Sequence, residues 1–378
     1  QYSVACAEVS IVADRGVDFD YGYYDQGILK IGDEEIAGVQ RKSKLEDGTI
    51  KYSWHYENLP AYFYETYMPE GEFFLPTVCV SNGNWKKYGR SLLERIEELP
   101  ECGPNMDALF TLIAAMPRDK QLQALHETVD RMVHLVDVSF ASMPMACISA
   151  PETTLADGYG DDMDKGVVIY HILKRLGYEP EVYLFAPIGR YAKLRKILKD
   201  YPDCRDFSSM RILVKDDSGH DIWLNNVSKY AKLGVCDFDG QPMLDLKSGK
   251  ISCLDLADDL ETWCREALTI EINEVGDAVI TCKSKYYGQA YENFKKMYLE
   301  STPEERMRRY QQEISGIFAN AQPVTPEPII DVNSYPATRE FTVCVVDFAV
   351  VDGDFMYFNV PVSLTTIDCL EHRRNYLY

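Results

Sequence analysis

The sequence predicts a multidomain α+β protein, and three observations predict it. At 378 residues the chain is too long for one ordinary core and fits two or three domains of roughly 100–200 residues each. Apolar residues make up 46% and aromatics 12%, enough to bury cores along most of the length. The third observation is an order: β-type segments come first, helical periods followed by strands come next, and strands return at the end.

Residues 1–83 read as an antiparallel β-sandwich-like region. YSVACAEVSIVAD and DGTIKYSWHYENLPA, the second entered by a turn at Asp47-Gly48, partly alternate β-branched or aromatic residues with polar ones. The chain opens within such a strand, so further strands are expected to precede it. Residues 84–250 form an α+β core. NWKKYGRSLLERIEEL sets Trp85, Tyr88, Leu92, Leu93 and Ile96 on one helical face and ends at Pro100. MDALFTLIAAM stops at Pro117, RDKQLQALHETVDRMVHLV runs on from Arg118, and after a loop of Pro, Ser and Thr, MDKGVVIYHILKRLG is closed by Gly177. The strands EPEVYLFAP, SSMRILVKDD and HDIWLNNV follow, the last two joined by an Asp217-Ser218-Gly219 turn. Residues 251–378 read as a C-terminal β-sandwich-like domain with inserted helices. A hairpin turns at Gly276, YENFKKMYLE and PEERMRRYQQEISGIFANA are helical, and FTVCVVDFAVV is expected to pair with DFMYFNVPVSL.

The 39 Lys and Arg against 60 Asp and Glu give a formal charge of -21, a surface that repels phosphate backbones, so nucleic acid is not an expected partner. No apolar run approaches the roughly 20 residues that span a bilayer, so no transmembrane segment is expected. The first residue is Gln1, as in a processed or cut chain, and a removed secretion signal fits that reading. The eleven cysteines are scattered, with no C-x-x-C pair, which fits neither a zinc framework nor a compact disulfide scaffold. Cys147 in MPMACISA and Cys344 in FTVCVVDFAV read as small buried hydrophobes.

The most informative stretch runs from Gly158 through Tyr159, Gly160, Asp161, Asp162, Met163, Asp164 and Lys165 into GVVIYHILKRLGYEPEVYLF. It resembles the nucleophile region of the transglutaminase-like enzymes of the papain-like cysteine enzyme superfamily, G-D-C-x-D-K followed by an apolar helix, L-G and a strand. SWHYENLPAYFYETYMPEGEFFLPTVCVSNGNWKKYGRSL is similar to the end of the β-domain that precedes such a core in a bacterial family of uncharacterised function. DFSSMRILVKDDSGHDIWLNNVSKYAKLGVCDFDGQPMLDL resembles the same family's F-x-H, strand, turn and W-L-D-x-T.

The resemblance implies a papain-like α+β core, export to the periplasm or cell surface, and a nucleophile at Asp162, a histidine at Ser209 and an orienting aspartate at Asn225. Gly160, Asp161, Asp164 and Trp223 then neighbour the cleft. Such enzymes need a thiol at a helix N-terminus, an imidazole to take its proton, and a third group to fix the tautomer. Asp162 and Ser209 are not of the required types, and Asn225 alone would be tolerable. The expectation is therefore a pseudoenzyme without active catalytic residues or cofactor, which binds a peptide, protein or glycan in the former cleft. In it Asp162 would serve as a helix N-cap worth about 0.5–2 kcal/mol, with Ser209 and Asn225 facing that helix start.

Two other readings compete. Cys147, with His171 or His220, could serve an active cysteine protease, amidase or acyltransferase with a displaced nucleophile. Asp157, Asp161, Asp162 and Asp164 offer hard oxygen ligands of the kind Ca²⁺ takes in an adhesion-type module. Their spacing does not match an EF-hand, and no metal is expected. His126 and His134, eight apart on one expected helix, lack a third ligand, and the aromatic run Tyr62–Tyr67 reads as a domain interface.

Overall fold

A computed structural model describes residues 3–13, 19–23, 28–31, 34–45, 48–59, 77–188, 192–225, 228–257 and 260–360. It is a mixed α+β fold with eight α-helices and several sheets among the described residues. Alternation at the amino end builds β1 (Val4–Ala13), β2 (Val39–Lys44) and β3 (Ile50–Leu59), an antiparallel sheet in the order β1-β3-β2. Tyr52 and Trp54 are buried on its inner face. The Tyr62–Tyr67 run lies outside the described residues.

The helical periods give α1 (Trp85–Glu97), α2 (Pro104–Ala114) and α3 (Arg118–Met132), with Asn84 capping α1 by accepting from the Lys87 N–H. His134 lies past the end of α3, where Val133 turns extended. The two histidines therefore do not share a helix, and His134–Leu135 instead forms a short parallel bridge with Tyr159–Gly160. The loop of Pro, Ser and Thr holds an unanticipated helix, α4 (Pro151–Asp157), started by a proline that costs no hydrogen bond at that position. Its Glu152 accepts N–H bonds from Asn105 and Met106, supplying the cap that α2 lacks.

The central helix is α5 (Asp162–Arg175): ten of its 14 residues are buried, so it is enclosed rather than amphipathic. The strands that follow are β4 (Glu181–Phe185), β5 (Ser209–Lys215), β6 (Asp221–Leu224), β7 (Pro242–Asp245) and β8 (Ile251–Cys253), with α6 (Ala192–Asp200), not anticipated, after β4. They make one antiparallel sheet, β6-β5-β4-β7-β8. One face of it, bearing Leu184, Met210, Ile212 and Leu224, packs against the helices. The other, bearing Phe185, Leu213 and Trp223, forms a second cluster with Cys236 and Phe238.

Beyond it, β9 (Trp263–Ile272) and β10 (Ala278–Tyr287) form the hairpin around Gly276, whose φ is +96°. Then come α7 (Gly288–Glu300), α8 (Pro303–Ile317) and β11 (Ala337–Val345). The expected pairing of the last two apolar stretches is met at its inner end, where Val350–Asp352 pairs with Phe355–Tyr357, while the first part of FTVCVVDFAVV lies in β11 and pairs with β10. Asp347, at φ +54°, turns the chain away after β11. The same strand corrects one cysteine, since alternation buries Val343 and Val345 and leaves Cys344 exposed.

Between α3 and α5 lies a buried group of three ionisable side chains. Lys165 pairs with Asp130, and His126 Nε2 stands 3.4 Å from Asp130 Oδ2, with side-chain exposures of 1–3%. Burial pushes the His126 imidazole below its ordinary value, Asp130 opposing. An imidazole depressed in the fold takes its proton more readily once unfolded. Its stabilisation is thus present above about pH 6.5 and is lost as pH falls below it, at up to about 1.4 kcal/mol per pH unit. Urea unfolding between pH 7 and 5 should show this loss, and His126→Gln should flatten part of it; parallel curves for the two proteins would contradict the assignment.

Candidate functional site

The start of α5 is held from both sides. The bridge from His134 to Gly160 fixes the incoming loop through His134 N–H to Gly158 O, 2.8 Å, and Val136 N–H to Gly160 O, 3.0 Å. The helix cap is Asp161 rather than Asp162. Its Oδ1 accepts from Asp164 N–H at 2.8 Å, and Asp164 reaches back to the Asp161 N–H, a capping box. Asp164 Oδ1 also accepts from Ser149 N–H at 2.8 Å. Burial first, then the neighbouring Asp164 and Asp162, push the Asp161 carboxyl up to about 6, against the backbone N–H groups.

Asp162 is the first residue inside the helix, and that one-residue shift turns its carboxylate toward the sheet. Oδ2 accepts from Met210 N–H at 2.5 Å, and Arg211 Nη1 lies 3.1 Å from Oδ1 and 3.3 Å from Oδ2. Asn225 Nδ2 donates to Asp162 O at 2.9 Å and approaches Oδ1 at 3.3 Å. The far side of the Arg211 fork grips Asp237, with Nε and Nη2 at 3.0–3.1 Å from its oxygens. Arg211 is wholly buried, Asp162 and Asp237 are 17% and 24% exposed, and the guanidinium lies 4.8 Å over the Phe238 ring. Burial pushes the Asp162 carboxyl up, with Arg211 and the Met210 N–H pulling the other way.

Two of the three positions singled out in the sequence meet and the third does not. Asn225 has φ +72°, a left-handed conformation that asparagine tolerates, and this bends the end of β6 so that the carboxamide reaches the helix start. Ser209 pairs with Phe185 across β4 and β5, and directly paired residues share a face. Ser209 therefore stands on the side of Arg211 and Phe185, and its neighbour Met210 is the one that faces α5. Trp223 pairs with Leu213 and faces the second cluster, away from α5. Gly166 explains the close approach of helix and sheet: a Cβ there would stand 2.6 Å from Met210 Sδ and 2.9 Å from Asn225 Nδ2.

The sequence reading missed Arg211 and Asp237. An arginine inside the apolar run of SSMRILVKDD was the available signal, because a charge in a buried strand has to be paired. The four candidate calcium carboxylates are not gathered: Asp157 closes α4 while Asp161, Asp162 and Asp164 serve the contacts above, and among the described residues no three or more His, Cys, Asp or Glu are placed to hold a metal ion.

Beside Asp161 lies a cavity of about 320 Å³ lined by Tyr88, Leu92, Phe140, Met145, Cys147 and Cys204, among others. Cys147 is exposed on it rather than buried in the core. None of its lining residues is a histidine. His171 is turned to α1, 3.0 Å from Ile96 O, and His220 bonds Asp216 at the β5–β6 turn.

No family model matches the chain, and no curated protein matches it. Among solved structures, the crystal structure of a putative protease from Parabacteroides distasonis ATCC 8503 matches at 10% identity with a TM-score of 0.49, over 90% of this chain. The chain spans 66% of that protein's length.

Replacing Asp162 by Ala leaves the buried Arg211 with one carboxylate and the Met210 N–H without its acceptor. Asp162→Ala should cost about 3–5 kcal/mol, the range for breaking a buried pair, whereas Asp161→Ala should cost the roughly 0.5–2 kcal/mol of a lost cap. Asp162→Asn, which keeps an acceptor and loses the charge, should fall between them. Denaturant unfolding ranks the three; an Asp161 effect equal to or larger than the Asp162→Ala effect would refute the division of roles.

Proposed function

We propose that this chain is a non-catalytic relative of the transglutaminase-like cysteine enzymes that binds or scaffolds in the bacterial envelope. The observation that carries the reading is the commitment of Asp162. At the position of the family nucleophile stands a carboxylate held by Arg211, Met210 N–H and Asn225. Such a group cannot leave its partners to attack without stranding a buried guanidinium, and attack on an amide by a carboxylate would give an anhydride less stable than the amide it came from. The residue facing α5 from β5 is Met210, which has no proton to exchange.

The cavity beside Asp161 is the candidate ligand site. Its walls are apolar, with Leu92, Phe140, Met143, Met145 and Ile148, and its lining residues include no Lys or Arg. That chemistry suits a neutral or basic ligand with an apolar part, a peptide segment before a glycan. Against the alternative of a displaced nucleophile, Cys147 on this cavity has no imidazole among its lining neighbours to act as base.

Purified chain offered a broad set of amide, ester and amine-acceptor substrates should give no turnover that iodoacetamide abolishes. Reproducible thiol-sensitive turnover, lost in Cys147→Ser, would replace this reading with the displaced-nucleophile one.

A further inference from the structure

The N-terminal sheet carries a second set of nucleophile, base and acid, unrelated to α5. The register of β1 on β3 sets Cys6 opposite Glu57 and Glu8 opposite His55. Paired residues share a face, so these four side chains stand together, with Lys51 on the same face and Arg41 brought beside them by β2. Tyr52 and Trp54 point the other way, into the buried side. Cys6 Sγ lies 3.7 Å from His55 Nδ1 and 3.9 Å from Nε2. His55 Nε2 is 3.2 Å from Glu57 Oε1 and Nδ1 is 3.9 Å from Glu8 Oε2. Lys51 holds Glu8 at 2.8 Å, keeping that carboxyl below its ordinary value.

A thiol within reach of an imidazole, itself steadied by a carboxylate, is the arrangement that activates a cysteine nucleophile. Seven described cysteines are exposed: Cys6, Cys102, Cys147, Cys204, Cys253, Cys264 and Cys344. Among the described residues, Cys6 is the one whose sulfur has a histidine within hydrogen-bonding distance. Accessibility and a base thus coincide at one thiol, and the other six serve as internal controls within the same molecule.

We propose that Cys6 is a base-assisted reactive thiol, a covalent modification site that exchanges with small disulfides. In the exchange the Cys6 proton passes to His55, and the sulfur attacks one sulfur of the disulfide RS–SR. The S–S bond breaks, and the departing thiolate takes the proton back from the imidazolium. Cys6 ends as the mixed disulfide, oxidised, and one half of the reagent ends as the reduced thiol. Glu57 holds the ring and balances its charge, Glu8 does the same less closely, and Lys51 and Arg41 offset the charge of Glu8. The site stands on an exposed sheet face, which suits a small reagent.

The test incubates the full chain with oxidised glutathione at pH 7, and in parallel with iodoacetamide, and reads the initial rate at each cysteine by peptide mass spectrometry. Cys6 should react at least about tenfold faster than the median of the other six exposed thiols, a modest share of what general-base assistance can supply. His55→Gln should bring it into their range without changing theirs, and Glu57→Gln should slow it less. Cys6 within about twofold of the other exposed thiols, or a Cys6 rate unchanged by His55→Gln, would overturn the proposal. So would fast alkylation without a glutathione adduct. Should His55→Gln disturb the sheet, read from tryptophan fluorescence, the comparison among thiols of the unaltered chain decides alone.

Discussion

The buried guanidinium of Arg211 is the constraint around which the core is arranged. A fully desolvated cation is tolerable only with its charge matched and its donors occupied, and it stands between Asp162 at the start of α5 and Asp237 beyond β6. Each partner fixes an element: Asp162 pins the helix end to the first residues of β5 through the Met210 N–H, and Asp237 ties the connection to β7 against the far face of the sheet. Gly166 and the left-handed Asn225 are the local concessions that bring helix and sheet close enough for this contact. An uncharged residue at position 162 would leave a guanidinium with half its counter-charge.

A thiol and an imidazole that joined a helix start to a strand would need a bond weak enough to break in every turnover. A carboxylate and a guanidinium joined by charge-assisted bonds hold the junction more firmly. Such a junction suits rigidity rather than the motion of a proton between helix and strand. It also accounts for Asp161 serving as the cap: with Asp162 drawn to the sheet, the preceding residue supplies the oxygen for the exposed N–H groups.

The sequence made some of this legible and hid the rest for definable reasons. Glycines at positive φ closed α5 at Gly177 and turned the hairpins at Gly219 and Gly276, so elements bounded by them could be read directly. The G-x-G-D-D-x-D-K spacing located the helix start, and the separate Trp223-Leu224-Asn225 stretch pointed to its partner Asn225. What it could not fix was a choice of one residue. Asp161 and Asp162 are chemically identical, and which one caps depends on where the first turn begins. Likewise a strand reverses faces at every residue, so placing the histidine position at Ser209 rather than Met210 moves it across the sheet. Helix α4 was hidden because PETTLAD is short and rich in residues that also suit loops, its role being set by a contact from Glu152 to α2 that no local pattern announces.

Motif spacing and strand register therefore point to different places for reactive chemistry. Spacing along the chain singled out the α5 loop, where most polar groups prove to be spent on one another: Asp161 on the cap, Asp164 on Ser149, Asp162 on Arg211 and the Asn225 Nδ2 on two carbonyls, while the buried Asn225 Oδ1 is left without a partner. Register across the chain gathers Cys6, His55 and Glu57 from positions 49 and 51 residues apart, a separation at which no sequence motif exists. A side chain fully engaged with protein partners contributes rigidity, because any reaction must first break those bonds in a medium that cannot replace them. A side chain on an open sheet face loses little on reacting, since water replaces each bond it gives up. Where reactive residue types occur matters less for chemistry than whether their bonds are already made, and in this chain the two criteria select different parts of the described structure.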